Sequence, residues 1–158
     1  MSNSCFGQKT AKILLVMAQP FIRVPILTAG FALADQLRFD TTYDNASQSL
    51  STVACSNGVN GLLTKGFTTF GSLPTFPNIG GASAVTGFNS PNCGSCWNVT
   101  FTNTTTGGST TLSVLAIDVA SGFVVSQEAM DELTDNNAVA LGVVNVDSVQ
   151  VNASVCGL

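Results

Sequence analysis

A chain of 158 residues with 45% hydrophobic content has room for one domain with a real core and not for two comfortable ones. Only 9% of residues are charged while Gly, Ser, Thr and Asn abound, which suits strands and turns more than solvated helices and predicts a mainly β fold. Nine acids against five bases give a net charge of −4, and a polyphosphate or an anionic membrane needs a dense set of Lys and Arg, so nucleic acid is excluded as a partner.

The first stretch is organised differently from the rest. Lys9, Lys12 and Arg23 are basic, no acid precedes Asp35, and apolar runs occupy Ile13 to Ala18 and Val24 to Ala34. Arg23 followed by VPILTAGFALA supplies a charged n-region, an apolar h-region and small residues, Ala32 and Ala34, at the two cleavage-recognition positions. Residues 1–34 are therefore expected to be a signal peptide cleaved after Ala34, leaving a secreted domain over 35–158. Met17 opens a shorter and more conventional leader, so residues 1–16 read as an upstream extension. Arg23 and Pro25 leave no run of about 20 apolar residues, which argues against a membrane anchor. Cleavage would leave Arg38 and Lys65 against nine acids, a net charge of −7, and neutral ligands suit that surface.

Leu37 to Tyr43 and Ser51 to Cys55 alternate like half-buried strands and are expected to pair with each other. Residues 57–92 are dense in Gly, Pro, Asn and Ser and predict irregular chain with short helical turns near Gly61 and Ala84. Trp97 to Thr102, a turn over Asn103 to Ser109, and Thr111 to Ile117 form a hairpin pattern with a long loop. Ser126 reads as the N-cap of a helix carrying Gln127 and Glu128 in its first turn, with Ala129, Met130 and Leu133 at helical spacing, ending near Asn136 and Asn137. Val139 to Val144 and Asp147 to Val155 are two further alternating runs. Six short strands in a domain of this size predict a closed barrel or a sandwich, since closure removes unpaired edges.

Cys5 would leave with the leader, so an exported chain keeps an even set, Cys55, Cys93, Cys96 and Cys156, and two disulfides are expected. Four cysteines allow three pairings, and spacing does not choose among them. A thioredoxin-type site at Cys93 and Cys96 or a four-thiolate zinc site fits less well, because export disfavours reduced thiols and there is no second C-x-x-C. Sequons occur at Asn45, Asn98, Asn103 and Asn152; Asn103 alone lies in a predicted flexible loop and is the expected glycosylation site.

The segments CSNGVNGL (55–62), FPNIGG (76–81), CGSCW (93–97) and AID (116–118), in that order, with VCGL at 155–158, resemble the cerato-platanin family over nearly all of residues 35–158. That resemblance implies a small secreted fungal protein with a six-stranded double-ψ β-barrel, one or two short helices, and kinship with expansins and family 45 endoglucanases. It also implies the pairing Cys55 with Cys93 and Cys96 with Cys156. The chain departs from the family at Phe88, where Trp is usual, and at Val119 to Gly122, where more glycine is common.

Asp118 ends the apolar run Leu112 to Ile117, where a strand would deliver a side chain to the barrel rim. The resemblance places it in a polysaccharide groove; its simpler role is to cap neighbouring backbone amides. Inverting glycoside hydrolysis needs a second carboxylate about 6.5–9.5 Å away. Asp40 and Asp44 are the conceivable partners, and spacing cannot establish that distance. The chain has no His, so Ser-His-Asp and Cys-His arrangements and most catalytic zinc sites are excluded. No catalytic residue, metal or cofactor is expected.

Binding asks for polar groups on a shallow groove and one or two aromatic faces, for which Tyr43, Asp44, Phe88, Asn89, Asp118 and Ser121 are the candidates. Phe88 suits the core equally well, Trp97 reads as a barrel aromatic, and Glu128, Asp131, Glu132 and Asp135 read as a solvated helix face. As the resemblance implies, the expected function is non-catalytic binding of chitin or N-acetylglucosamine oligomers in the fungal cell wall and extracellular space, with perception by plants through a receptor. The alternatives are an expansin-like loosening protein or very weak glucanase using Asp118, and a surface-active protein that self-assembles.

Overall fold

The computed structural model describes residues 34–158. The proposed leader, its internal start at Met17 and Cys5 lie outside the described residues. Among the described residues no helix is long and apolar enough to cross a membrane.

Six strands close into a barrel: β1 (Asp35–Phe39), β2 (Ile79–Ala82), β3 (Cys96–Thr102), β4 (Ser109–Val119), β5 (Phe123–Val125) and β6 (Val143–Val151). Around the barrel the order is β1-β5-β2-β4-β3-β6, with β6 returning to β1. The β1–β5 and β2–β4 contacts are parallel and the remaining four are antiparallel. Leu37, Ile79, Val99, Leu115, Ile117 and Phe123 fill the interior with no more than 2% of their surface exposed. This is the closed, mainly β barrel expected from the resemblance.

The number of strands matches the expectation, but two of its members differ. The run Leu37 to Tyr43 stops being a strand at Phe39, because Asp40 accepts the Thr42 N–H at 2.8 Å and turns Thr41–Asp44 into a 3-10 helix. Ser51 to Cys55 is not a strand either: the Ser49 hydroxyl accepts the Ser51 N–H and opens a 3-10 turn over Leu50–Thr52. The expected pairing of these two segments does not form, and β1 lies between β5 and β6 instead. The two predicted tail strands are one: a helix, α2 (Ala138–Leu141), occupies the first apolar run, and β6 spans the rest until Asn152 caps a 3-10 turn at Ala153–Cys156.

The unexpected strands are β2, inside the Gly-rich stretch, and β5, only three residues long. Sequence IGGA has weak intrinsic β preference, and its reason is close approach rather than propensity. A Cβ on Gly80 would run into the Val124 carbonyl of β5, so only glycine lets those strands pair. Between Gly80 and Gly81 the register slips, with Gly80 opposite Ala116 and Gly81 opposite Asp118, leaving Ile117 as an extra residue in β4.

Helix α1 (Gln127–Thr134) packs Ala129, Met130 and Leu133 onto one end of the barrel. Its N-terminus is closed twice. The fully buried Ser126 hydroxyl accepts the Ala129 N–H at 2.9 Å and donates to the Pro77 carbonyl at 2.8 Å, while Asp44 accepts the Gln127 and Glu128 N–H groups at 2.9 and 3.0 Å. Because Ser126 satisfies one helix donor and one loop acceptor together, Ser126→Ala is expected to destabilise the domain by about 2 kcal/mol, read as a shift of the urea midpoint without a change in slope. A loss under about 0.5 kcal/mol would contradict this double role.

Both disulfides are those implied by the resemblance, Cys55–Cys93 and Cys96–Cys156, with Cα–Cα separations of 5.2 and 5.7 Å. The first fastens the long loop to the segment before β3, and the second fastens the start of β3 to the turn after β6.

Candidate functional site

The extra residue in β4 sets the geometry of the rim. With Ile117 bulged out of the β2–β4 register, its carbonyl accepts the Cys55 N–H at 3.1 Å, and the next residue, Asp118, turns toward the loop that Cys55 heads. One Asp118 oxygen accepts the Ala54 N–H at 3.0 Å and the Val119 N–H at 2.8 Å; the other accepts the Tyr43 hydroxyl at 3.3 Å. Three donors therefore fix a half-buried carboxylate at the end of a strand. The Cys55–Cys93 bridge, one residue from Ala54, fastens the segment that supplies one of these donors.

Tyr43 reaches Asp118 from the 3-10 turn rather than from β1. Its ring is buried and stacks on Phe70 with centroids 5.8 Å apart and planes at 25°. Burial, and then the negative charge and hydrogen bonding of Asp118, push the phenol well above its ordinary range, so it stays a donor at any physiological pH.

On the other side of Ala54, its carbonyl accepts the Asn89 N–H at 3.3 Å. Asn89 takes a left-handed backbone, φ 56°, and is locked to Asn60 by two bonds: Asn60 N–H to Asn89 Oδ1 at 2.9 Å and Asn60 Nδ2 to the Asn89 carbonyl at 3.0 Å. A Cβ on Gly58 would strike the Asn89 amide, which explains a glycine there. Phe88, next to this clamp, is 67% exposed and so is not part of the core. Tyr43, Asp118, Ala54 and Asn89 thus form a continuous strip at the barrel rim, bounded by the exposed ring of Phe88. Ser121 is exposed on the short β4–β5 turn, three residues beyond Asp118.

Asp44 stands apart from that strip in its bonding. Both its oxygens hold α1, and it borders a separate cleft of about 550 Å³ lined by Thr41, Gln127, Glu128, Asp131, Glu132 and Asn136. The helix acids expected to be solvated are so only in part, since Asp131 accepts the Ala138 N–H at 3.0 Å and starts α2. Trp97 is half-buried, donates from its indole N–H to Ser95 at 2.9 Å, and meets Phe123 edge to face. Among the described residues no three His, Cys, Asp or Glu side chains are gathered as a metal would require.

Asn60, Gly58 and the Ala54 amide are the parts of the strip that side-chain chemistry did not single out. Asn60 and Gly58 lie in the CSNGVNGL segment, where paired Asn-Gly steps were the available signal; a backbone N–H leaves none.

The cerato-platanin family model matches residues 36–158. The chain belongs to the cerato-platanin family. Among curated relatives, the Allergen Asp f 15 homolog of Arthroderma benhamiae is 50% identical over 121 residues, which cover 77% of this chain and 57% of that protein. The chain thus spans little more than half of that relative's length. Cerato-platanin 2 from M. perniciosa has the same fold at a TM-score of 0.75 and 58% identity, covering 80% of this chain and all of that one. The fungal elicitor cerato-platanin itself superposes at a TM-score of 0.65 with 37% identity, covering 77% of this chain and 95% of the other. The fold is therefore shared with these cerato-platanins, and the rim around Asp118 is built on it.

Proposed function

We propose that this cerato-platanin is a secreted, non-hydrolytic carbohydrate-binding protein of the fungal wall and extracellular space, which takes up chitin or N-acetylglucosamine oligomers and is perceived by plants as an elicitor. The observation that carries the reading is the fixed Asp118 carboxylate beside the Asn89 clamp and the exposed Phe88 ring. Asp118 Oδ2, which serves the Tyr43 hydroxyl alone, has a lone pair left for a sugar hydroxyl, Asn89 Nδ2 is a donor without a partner among the described residues, and an outward aromatic face suits a pyranose ring.

The bonding of the acids supports binding without hydrolysis. Asp118 already serves three donors, and both Asp44 oxygens are occupied by helix amides. Hydrogen bonds from Thr42 hold Asp40 below the usual carboxylate range, the wrong direction for a residue that must deliver a proton to a leaving group. The relative described as a fungal elicitor supports the second half of the reading.

The test combines calorimetric titration of the purified protein with N-acetylglucosamine oligomers, reducing-sugar release from soluble glucan, and loosening of cellulose paper. Asp118→Ala is expected to weaken oligomer binding about 30-fold, the loss of roughly 2 kcal/mol of charge-assisted hydrogen bonding, with no sugar released by either protein. Sugar release abolished by Asp118→Ala would replace this reading with weak glucanase action. Paper loosening without oligomer binding would favour expansin-like action, and film formation with no binding at all would favour the surface-active alternative.

A further inference from the structure

The β3–β4 hairpin, at the end of the barrel near α1 and α2, holds chemistry that the rim strip does not use. Its loop begins at Asn103, whose Oδ1 accepts the Thr105 N–H at 2.9 Å and the Thr106 N–H at 3.2 Å. These bonds turn the amide toward its own Thr105, the residue arrangement an Asn-x-Thr acceptor presents, and they leave Nδ2 without a hydrogen bond among the described residues. Asn98 differs in its backbone: it lies mid-strand, paired with Ser113 on β4 and Val149 on β6, and cannot take up the turn that Asn103 adopts. Asn152 caps the turn that ends at the bridged Cys156, and the aromatic two residues before Asn45, Tyr43, is already buried against Phe70 and bonded to Asp118.

Two residues before Asn103, near the end of β3, stands Phe101, and both residues line the same two clefts. The Phe101 ring is half-buried against the edge of the core, and the clefts, of about 420 and 210 Å³, meet at Phe101, Asn103 and Thr134. Leu141 and Val144 wall the first and Leu133 the second. Because Phe101 and Asn103 line the same clefts, a sugar on Nδ2 has within reach an aromatic ring whose quadrupole suits the C–H face of a pyranose, and Thr105 and Asn137 for its polar substituents.

We propose that Asn103 carries an N-linked glycan whose first N-acetylglucosamine packs on Phe101 where these two clefts meet. The transfer takes an oligosaccharide from a lipid-diphosphate donor of the secretory route: the sugar C1–oxygen bond to diphosphate breaks, a C1–Nδ2 bond forms, Nδ2 gives up one proton, and the lipid diphosphate leaves. The proposal rests on the export reading above. It makes Phe101 a built-in platform for a modification rather than an incompletely buried core residue.

The full chain produced in a filamentous-fungal host is mapped after enzymatic release of N-glycans in 18O-water, and its melting is compared with Asn103→Gln, Phe101→Thr and the double variant. The expected results are a labelled aspartate at position 103 and a Tm about 3 °C above that of Asn103→Gln, a gain that vanishes in the Phe101→Thr background. Should Phe101→Thr fail to fold, proton shifts of the glycoprotein trimmed to one N-acetylglucosamine give the same answer, since a sugar stacked on the ring is shifted upfield. Secreted chain with Asn103 unmodified overturns the proposal alone, as does a modified chain with neither the Tm gain nor the ring shift. Unmodified chain that stays inside the cell overturns both the proposal and the export reading.

Discussion

Replacing Cys96 and Cys156 together by serine is expected to lower the Tm by about 12 °C, from a loss on the order of 4 kcal/mol. The magnitude follows from the 60 residues that separate the two cysteines, because the bridge denies the unfolded chain the conformations of a large open loop. The same substitution at Cys55 and Cys93, separated by 38 residues, should cost nearly as much, since the entropy grows only with the logarithm of loop length. The two variants differ in a second readout. Cys55 adjoins the Ala54 amide that holds Asp118, so loss of its bridge is expected to weaken oligomer binding as well, whereas loss of the Cys96 bridge leaves the rim intact. Calorimetric melting under non-reducing conditions checks the first statement. A change under about 3 °C in both variants would mean that the barrel contacts alone hold the domain.

Phe70→Ala is expected to cost about 4 kcal/mol, the ordinary penalty for a large cavity at a wholly buried aromatic. Its interest lies in what rests on the ring. Tyr43 stacks on Phe70 and donates to Asp118, so emptying the position frees Tyr43 to tilt away and leaves Asp118 with its two backbone donors. Phe70→Leu, which keeps most of the volume, should cost about 1.5 kcal/mol and preserve the tyrosine. Denaturant unfolding measures the energies, and Tyr43 fluorescence or phenol titration reports the contact. Equal destabilisation by the two variants would show that the cavity is absorbed elsewhere.

Local signals carried much of this fold in the sequence. The hairpin of β3 and β4 and helix α1 were legible because their reasons are local: alternation with a Thr/Gly turn in one case, Ser126 and helical spacing in the other. β2 was not, because Ile79–Ala82 becomes a strand through two glycines that allow β4 and β5 to approach. Val139 to Leu141 looks like strand by composition, yet Asp131 caps the Ala138 amide and Gly142 ends a helical turn there. At the rim, Asp118 was legible as a strand-end carboxylate and Tyr43 as a nearby aromatic. Their meeting was not, because it depends on a bulge at Ile117 and on a backbone amide, neither of which leaves a mark in residue types.

The seam of the barrel sets a timescale. Leu37 is hydrogen-bonded into a sheet with Val144, over a hundred residues later, and with Phe123 on its other side. No local hairpin can assemble that seam early, so folding waits for distant segments to find each other and belongs in the millisecond-to-second range typical of such topologies. The reverse step is equally constrained, since β1 cannot leave without breaking ladders on both edges at once. How readily that one strand is released then enters directly into how long the folded molecule withstands proteases.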